Sequence, residues 1–151
     1  MVYPLFSDEY FMKEALKEAQ KAYDKDEVPV GAIIVAKNVI IAKAHNLTVS
    51  LNDVTAHAEM QAITSAENYL GSRYLNDCTL YVTLEPCLMC ASASSWAQLG
   101  KIVYGADDPK AGFRRFGEKV LHQKTVLHFG VLANECGSIL SEFFKTKRLK
   151  V

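Results

Sequence analysis

Two short stretches restrict this chain more than anything else in it: "HAE" at residues 57–59 and "PCLMC" at residues 86–90, each where a helical pattern begins. Their reactive side chains serve no core, so the fold must bring both helix starts to one place. Cysteines at i and i+3 lie one helical turn apart, and Cys87 and Cys90 can therefore grip one ion from a single helix end. His57 adds a nitrogen from the other. Three soft or borderline ligands match a catalytic zinc site, in which water completes the shell, whereas a structural site closes with a fourth Cys or His. The partial positive charge of a helix start also favours thiolate over thiol. Glu59, two positions beyond His57, can take a proton from the water and return it to a leaving amine without joining the ligands.

Competing readings of the same residues are a redox CxxC pair and a closed zinc site. The first leaves His57 and Glu59 without a role. The second must recruit Cys78 or Cys136, both of which read as small buried hydrophobes.

The pattern around these stretches predicts an α/β fold. "SDEYFMKEALKEAQKAYDKD" places Phe11, Ala15, Ala19 and Ala22 on one helical face, with Ser7 or Asp8 as cap. "VPVGAIIVA" and "VIIAKAHN" are β-branched runs joined by "KN", which predicts a hairpin. A helix is expected from about Thr55 to Tyr69, with Gly71 ending it. "CTLYVTLE", a helix from Pro86 to Gly100 and "KIVYGA" form a βαβ unit, followed by a strand at "TVLHFGVL" and a closing helix at "NECGSILSEFFKTKR". One mixed sheet covered by helices on both faces accommodates this order.

A length of 151 residues, half of them hydrophobic, suits a single domain over 1–151 that needs no disulfides. No run approaches the ~18 apolar residues of a membrane span, and the start lacks a signal-peptide pattern, so a soluble cytoplasmic protein is expected. Seventeen basic and seventeen acidic residues cancel. Bulk charge therefore gives no support for a nucleic-acid partner, and any basic patch must be local: the candidates are Lys110, Arg114, Arg115 and Lys119 in one loop, against simple solvation, and Lys145, Lys147, Arg148 and Lys150 in the tail, against cations favoured at a helix end by its dipole.

Beyond H-x-E and P-C-x-x-C, which together form the signature of zinc-dependent nucleobase deaminases, "EVPVGAIIV", "AHN", "TAHAEM", "TLYVTLEPCLMCA", "VYGADDPKAG" and "GVLANECGSILSEFFKTKR" resemble the bacterial tRNA-specific adenosine deaminase family along nearly the whole chain. That resemblance implies a three-layer cytidine-deaminase-like fold with a five-stranded sheet, one Zn2+ per chain on His57, Cys87 and Cys90, and Glu59 as proton shuttle. It further implies Asn46, Val30 and the Ala58 backbone at a flipped base, Phe144, Arg148 and the basic tail on a tRNA anticodon stem-loop, and a homodimer. The implied reaction is hydrolysis of wobble adenosine 34 to inosine. The chain departs from the pattern at "CASASSWAQL", where Trp96 is expected to pack on a neighbour or partner subunit, and in a shortened 111–119 loop. The alternatives are a free-base or nucleoside deaminase, guanine above all, and a non-catalytic zinc-stabilised RNA-binding module.

Overall fold

The computed structural model describes residues 2–149. Helix α1 (Asp8–Asp24) starts at Ser7, whose hydroxyl accepts the Tyr10 N–H, and it buries Phe11, Met12, Ala15, Ala19 and Ala22. Strands β1 (Gly31–Ala36) and β2 (Val39–His45) form the expected hairpin. Lys37 and Asn38 at its tip both have positive φ, +50° and +62°, the left-handed pair whose twist suits a two-residue turn. There follow α2 (Ala58–Leu70), β3 (Cys78–Leu84), α3 (Leu88–Trp96) and β4 (Lys101–Ala106). Two 3-10 turns, Phe113–Phe116 and Glu118–Val120, lead to β5 (Val126–Phe129) and α4 (Ala133–Leu149). No helix among the described residues is long and apolar enough to cross a membrane.

Several boundaries differ from expectation. Helix α2 begins at Ala58 rather than near Thr55, because His57 is extended and Asp53 ties Thr55 into the preceding turn through its N–H and hydroxyl. Helix α3 stops at Trp96, short of Gly100, as the chain turns through Gln98 at φ +55°. The last strand ends at Phe129, where Gly130 (φ +81°) and Leu132 (φ +53°) redirect the chain into α4. Neither 3-10 turn was foreseen.

The sheet order is β2-β1-β3-β4-β5. Strand β1 is antiparallel to β2 and β3, while β3, β4 and β5 are parallel. Strands β2, β3 and β4 therefore run the same way, and their carboxyl ends open on one edge, where α/β sheets usually bind ligands. Alternate strand residues face opposite helices. Ile33, Val35, Tyr81 and Val103 pack with Phe11, Met12 and Ala15 of α1 and Cys136 of α4. Ile34, Leu80, Val82 and Ile102 pack with Ala58, Ala62 and Ala66 of α2 and Ala91 of α3. The result is the expected three-layer arrangement, with Cys78 and Cys136 buried as small core side chains.

Helix α1 crosses β1 so closely that a Cβ at Gly31 would overlap the Ala15 carbonyl and the Ala19 amide. Backbone cannot retreat as a flexible side chain can. Gly31→Ala is expected to cost about 3 kcal/mol by overpacking and to lower Tm by roughly 6–12 °C. A circular dichroism melt checks this, and an unchanged Tm contradicts the close approach.

Candidate active site

His57 and Cys87 occupy equivalent positions, each the extended residue that caps a helix start, and neither side chain makes a capping hydrogen bond. Both side chains turn instead toward the opposite helix start. His57 Nδ1 lies 3.6 Å from Cys87 Sγ and 3.4 Å from Cys90 Sγ, and the three donor atoms fall within 4.8 Å of one another. With Zn–N near 2.0 Å and Zn–S near 2.3 Å, a tetrahedral ion separates N from S by about 3.5 Å. The donor set thus fits zinc in both chemistry and spacing. All four cysteines are free thiols, which excludes the closed CxxC disulfide from this state.

The acid–base state of the cluster follows from its burial. Cys90 donates its proton to Cys87, and that bond, against the opposing effect of burial and with help from His57, brings Cys87 down to about 4. Donating the same proton, together with burial, holds Cys90 above the usual thiol range. The bond to Cys87 raises His57. Burial pushes Glu59, only 4% exposed, up to about 7, opposed by hydrogen bonding to backbone and by His57. Without a cation, one proton serves both sulfurs; a bound divalent ion takes its place.

Beside the cluster is a cavity of about 260 Å3. Val30, Asn46, Ala58, Glu59, His57 and Cys87 all line it, so six of the residues singled out in the sequence come together, with Cys90 buried behind them. The Asn46 N–H donates to the Val30 carbonyl at 3.1 Å, and its Oδ1 accepts the Thr48 N–H at 3.3 Å. Phe144 and Arg148 are not in this cavity. They line an adjoining groove of about 850 Å3 with Lys110, Leu140 and Lys147, and the two spaces share Val28, Leu84, Asp108 and Ala111 as common wall. Lys147 pairs with Asp26 at 2.6 Å and lies over the Phe143 ring. Lys150, the last cation of the tail, lies outside the described residues. The sequence reading missed Val28, Thr48, Leu84, Glu85, Asp108 and Ala111, which also line the cavity. Of these, only Glu85, directly before Pro86-Cys87, carried a usable signal: an acid at the end of an otherwise apolar strand.

A two-cysteine, one-histidine metal cluster with a buried glutamate, at the carboxyl edge of a mixed five-stranded sheet, defines a zinc-dependent deaminase site. The chain belongs to the family described as the cytidine and deoxycytidylate deaminase zinc-binding region, whose profile matches residues 6–106. Within that family it is 48% identical over 149 residues to the tRNA-specific adenosine deaminase of Bacillus subtilis (strain 168), covering 95% of this chain and 92% of that protein. It superposes with a TM-score of 0.82 on a solved structure of a tRNA:A34 deaminase studied for A-to-I editing at the wobble position, at 43% identity over 87% of this chain and 99% of that one. Guanine deaminases share the fold: that of Nitrosomonas europaea superposes with a TM-score of 0.83 at 22% identity over 93% of this chain and 86% of that one, and that of Bacillus subtilis with a TM-score of 0.65 at 39% identity over 68% of this chain and 66% of that one.

Proposed function

We propose that the protein hydrolyses adenosine 34 of a tRNA anticodon to inosine with release of ammonia. The observation that carries this reading is the continuity of two spaces. A free base fills the small cavity at His57, Cys87 and Glu59, but only a polymer also engages the adjoining groove lined by Phe144, Lys110 and Arg148. Exposed aromatic faces stack bases and cations hold phosphates. Sequence identity supports the same choice, at 48% over 95% of the chain to a tRNA-acting relative against 22% over 93% and 39% over 68% to two guanine deaminases.

His57, Cys87 and Cys90 would hold the zinc, which when bound would supply Lewis acidity and, at neutral pH, a nucleophile from water. Glu59 carries the protons. Its carboxylate accepts one from the attacking water and delivers it to the amine leaving C6, so that a C–O bond replaces a C–N bond. Burial suits this task, since a carboxyl whose affinity for protons is raised toward neutrality can both take and return one. Asn46 hydrogen-bonds the base, Val30 closes the cavity, and the Ala58 backbone, at the start of α2, lies against the base.

The same reading includes cytoplasmic location and a homodimer. Trp96 is 84% exposed at the rim of a groove of about 910 Å3 formed with Met60, Ile63 and Tyr74. A surface indole of that area is a usual interface anchor.

The deciding assay incubates the protein with an adenosine-34 anticodon stem-loop and, separately, with free guanine, adenine, cytosine and cytidine, measuring inosine and ammonia. Inosine in the stem-loop and no ammonia from guanine supports the proposal. Efficient guanine deamination without editing overturns it. Phe144→Ala combined with Arg148→Ala is expected to reduce stem-loop kcat/KM about tenfold by loss of one stacking face, and to flatten the salt dependence by about 0.7 in log–log slope for one lost phosphate contact. If this variant folds and keeps the parental rate and slope, both residues belong to an ordinary helix end.

A further inference from the structure

Two buried acidic side chains, Glu85 in the cavity wall and Glu27 behind it next to the lining residue Val28, serve neither the metal nor proton transfer. Glu27 has no exposed surface. Its Oε1 accepts the Val49 N–H at 3.0 Å, while Oε2 accepts both the Ser50 N–H and the Ser50 hydroxyl at 2.6 Å. These amides belong to the loop that leaves β2 with Asn46 and Thr48 and ends at His57. Burial alone would raise Glu27, but the Ser50 and Val49 hydrogen bonds outweigh it and hold the carboxyl below its ordinary range. It is therefore a carboxylate, committed to that loop.

Glu85, 5% exposed, does the same for a second loop. Its Oε1 accepts the Asp108 N–H and its Oε2 the Arg114 N–H, both at 3.0 Å. The loop held this way is pinned again by the Phe113 N–H on the Pro86 carbonyl and by a bridge between Cys87 and Gly112. It delivers Asp108 and Ala111 to the cavity. Gly112 is required here by close approach, since a Cβ would overlap the Glu85 carboxylate. Each glutamate thus reaches across more than twenty residues of sequence to fix backbone, and both loops so fixed lend residues to the cavity wall, Asn46 and Thr48 from one and Asp108 and Ala111 from the other.

We propose that Glu27 and Glu85 are paired positioning residues which set the width of the substrate cavity by clamping its two loops through backbone amides. Charge-assisted bonds from a carboxylate to amide N–H groups are about twice as strong as neutral ones, which suits them to fix loop backbone. The prediction concerns substrate capture rather than chemistry. Neither residue moves the reacting protons, so loosening either wall weakens binding of ground and transition states alike and raises KM more than it lowers kcat.

The inference rests on the deaminase reading above, and its test separates the two. Glu27→Gln and Glu85→Gln keep size but replace one acceptor oxygen with an NH2 that opposes a backbone N–H. In zinc-loaded, folded protein each is expected to raise the stem-loop KM at least tenfold while kcat falls less than threefold. Hydrogen exchange needs no substrate: Glu27→Gln should accelerate Val49 and Ser50, and Glu85→Gln should accelerate Asp108 and Arg114, each leaving the other loop unchanged. If the parent edits no stem-loop, the functional reading fails, and the exchange pattern still decides the clamps. Should either variant not fold, Ser50→Ala, removing one of three bonds to Glu27, and Glu85→Asp, which keeps the carboxylate but shortens its reach toward the Asp108 and Arg114 N–H groups, are expected to show the same split in milder form. Parental KM and exchange, loss confined to kcat, or loss explained by missing zinc would each overturn the proposal.

Discussion

Glu59→Gln is expected to retain one zinc per chain and to deaminate about 10²–10⁴-fold more slowly than the parent, the amount that a positioned acid–base group contributes. In free energy this is about 3–5 kcal/mol of transition-state stabilisation. Glutamine fills the same buried space at the start of α2, beside the 260 Å3 cavity, and an amide can still hydrogen-bond water. It cannot hold the proton in transit. Because His57, Cys87 and Cys90 lie within 4.8 Å of one another without Glu59, metal content should not change. Elemental analysis and a melt accompany the rate measurement. Zinc lost with activity would place Glu59 among the ligands, and a rate within a few-fold of the parent would remove it from the proton path.

The residues that gave this site away in the sequence share one property: their chemistry has no use in packing. A histidine, an acid and two thiols at local spacings of two and three residues stand out against an alanine-rich helical pattern, and the helix geometry does the rest. The hairpin was legible for a similar reason, since "KN" between β-branched runs leaves the backbone few options. What stayed hidden depends on backbone partners. Glu27 read as an ordinary charge, and Glu85, though conspicuous at the end of its strand, gave no hint of its partners, because these are amides 22 to 29 residues away and any residue but proline at those positions would supply the same N–H. Asp108 and Ala111 reach the cavity through a loop whose shape is set by Glu85, so no local pattern announces them. Phe144 and Arg148 were visible as an aromatic and a cation on one helix, but their placement in an adjoining groove rather than in the cavity follows from how α4 packs on β4, a long-range fact.

Stripping the metal is expected to abolish deamination and to lower Tm by roughly 10 °C. The site is not stabilised by the protein alone. Two thiols and an imidazole converge between the starts of α2 and α3, where the Cys90 proton, with help from His57, holds the thiol of Cys87 far below its ordinary range. Among the described residues, Ala58, Ala62 and Ala66 of α2 and Ala91 of α3 otherwise share one core cluster against the sheet. A cation bound a thousandfold above its Kd stabilises the folded state by about 4 kcal/mol, and a chain of this length shifts by about 2–4 °C per kcal/mol. Melts of chelated and zinc-restored protein, with metal counted in each, measure the shift, and a matched activity assay measures the loss. Full recovery of both on adding back zinc shows that the ion ties the two helix starts together and powers the reaction from the same three ligands. A Tm unchanged by chelation, with zinc verifiably gone, would mean that the packing of α2 and α3 on the sheet already holds the ligands in place and that the ion contributes chemistry only.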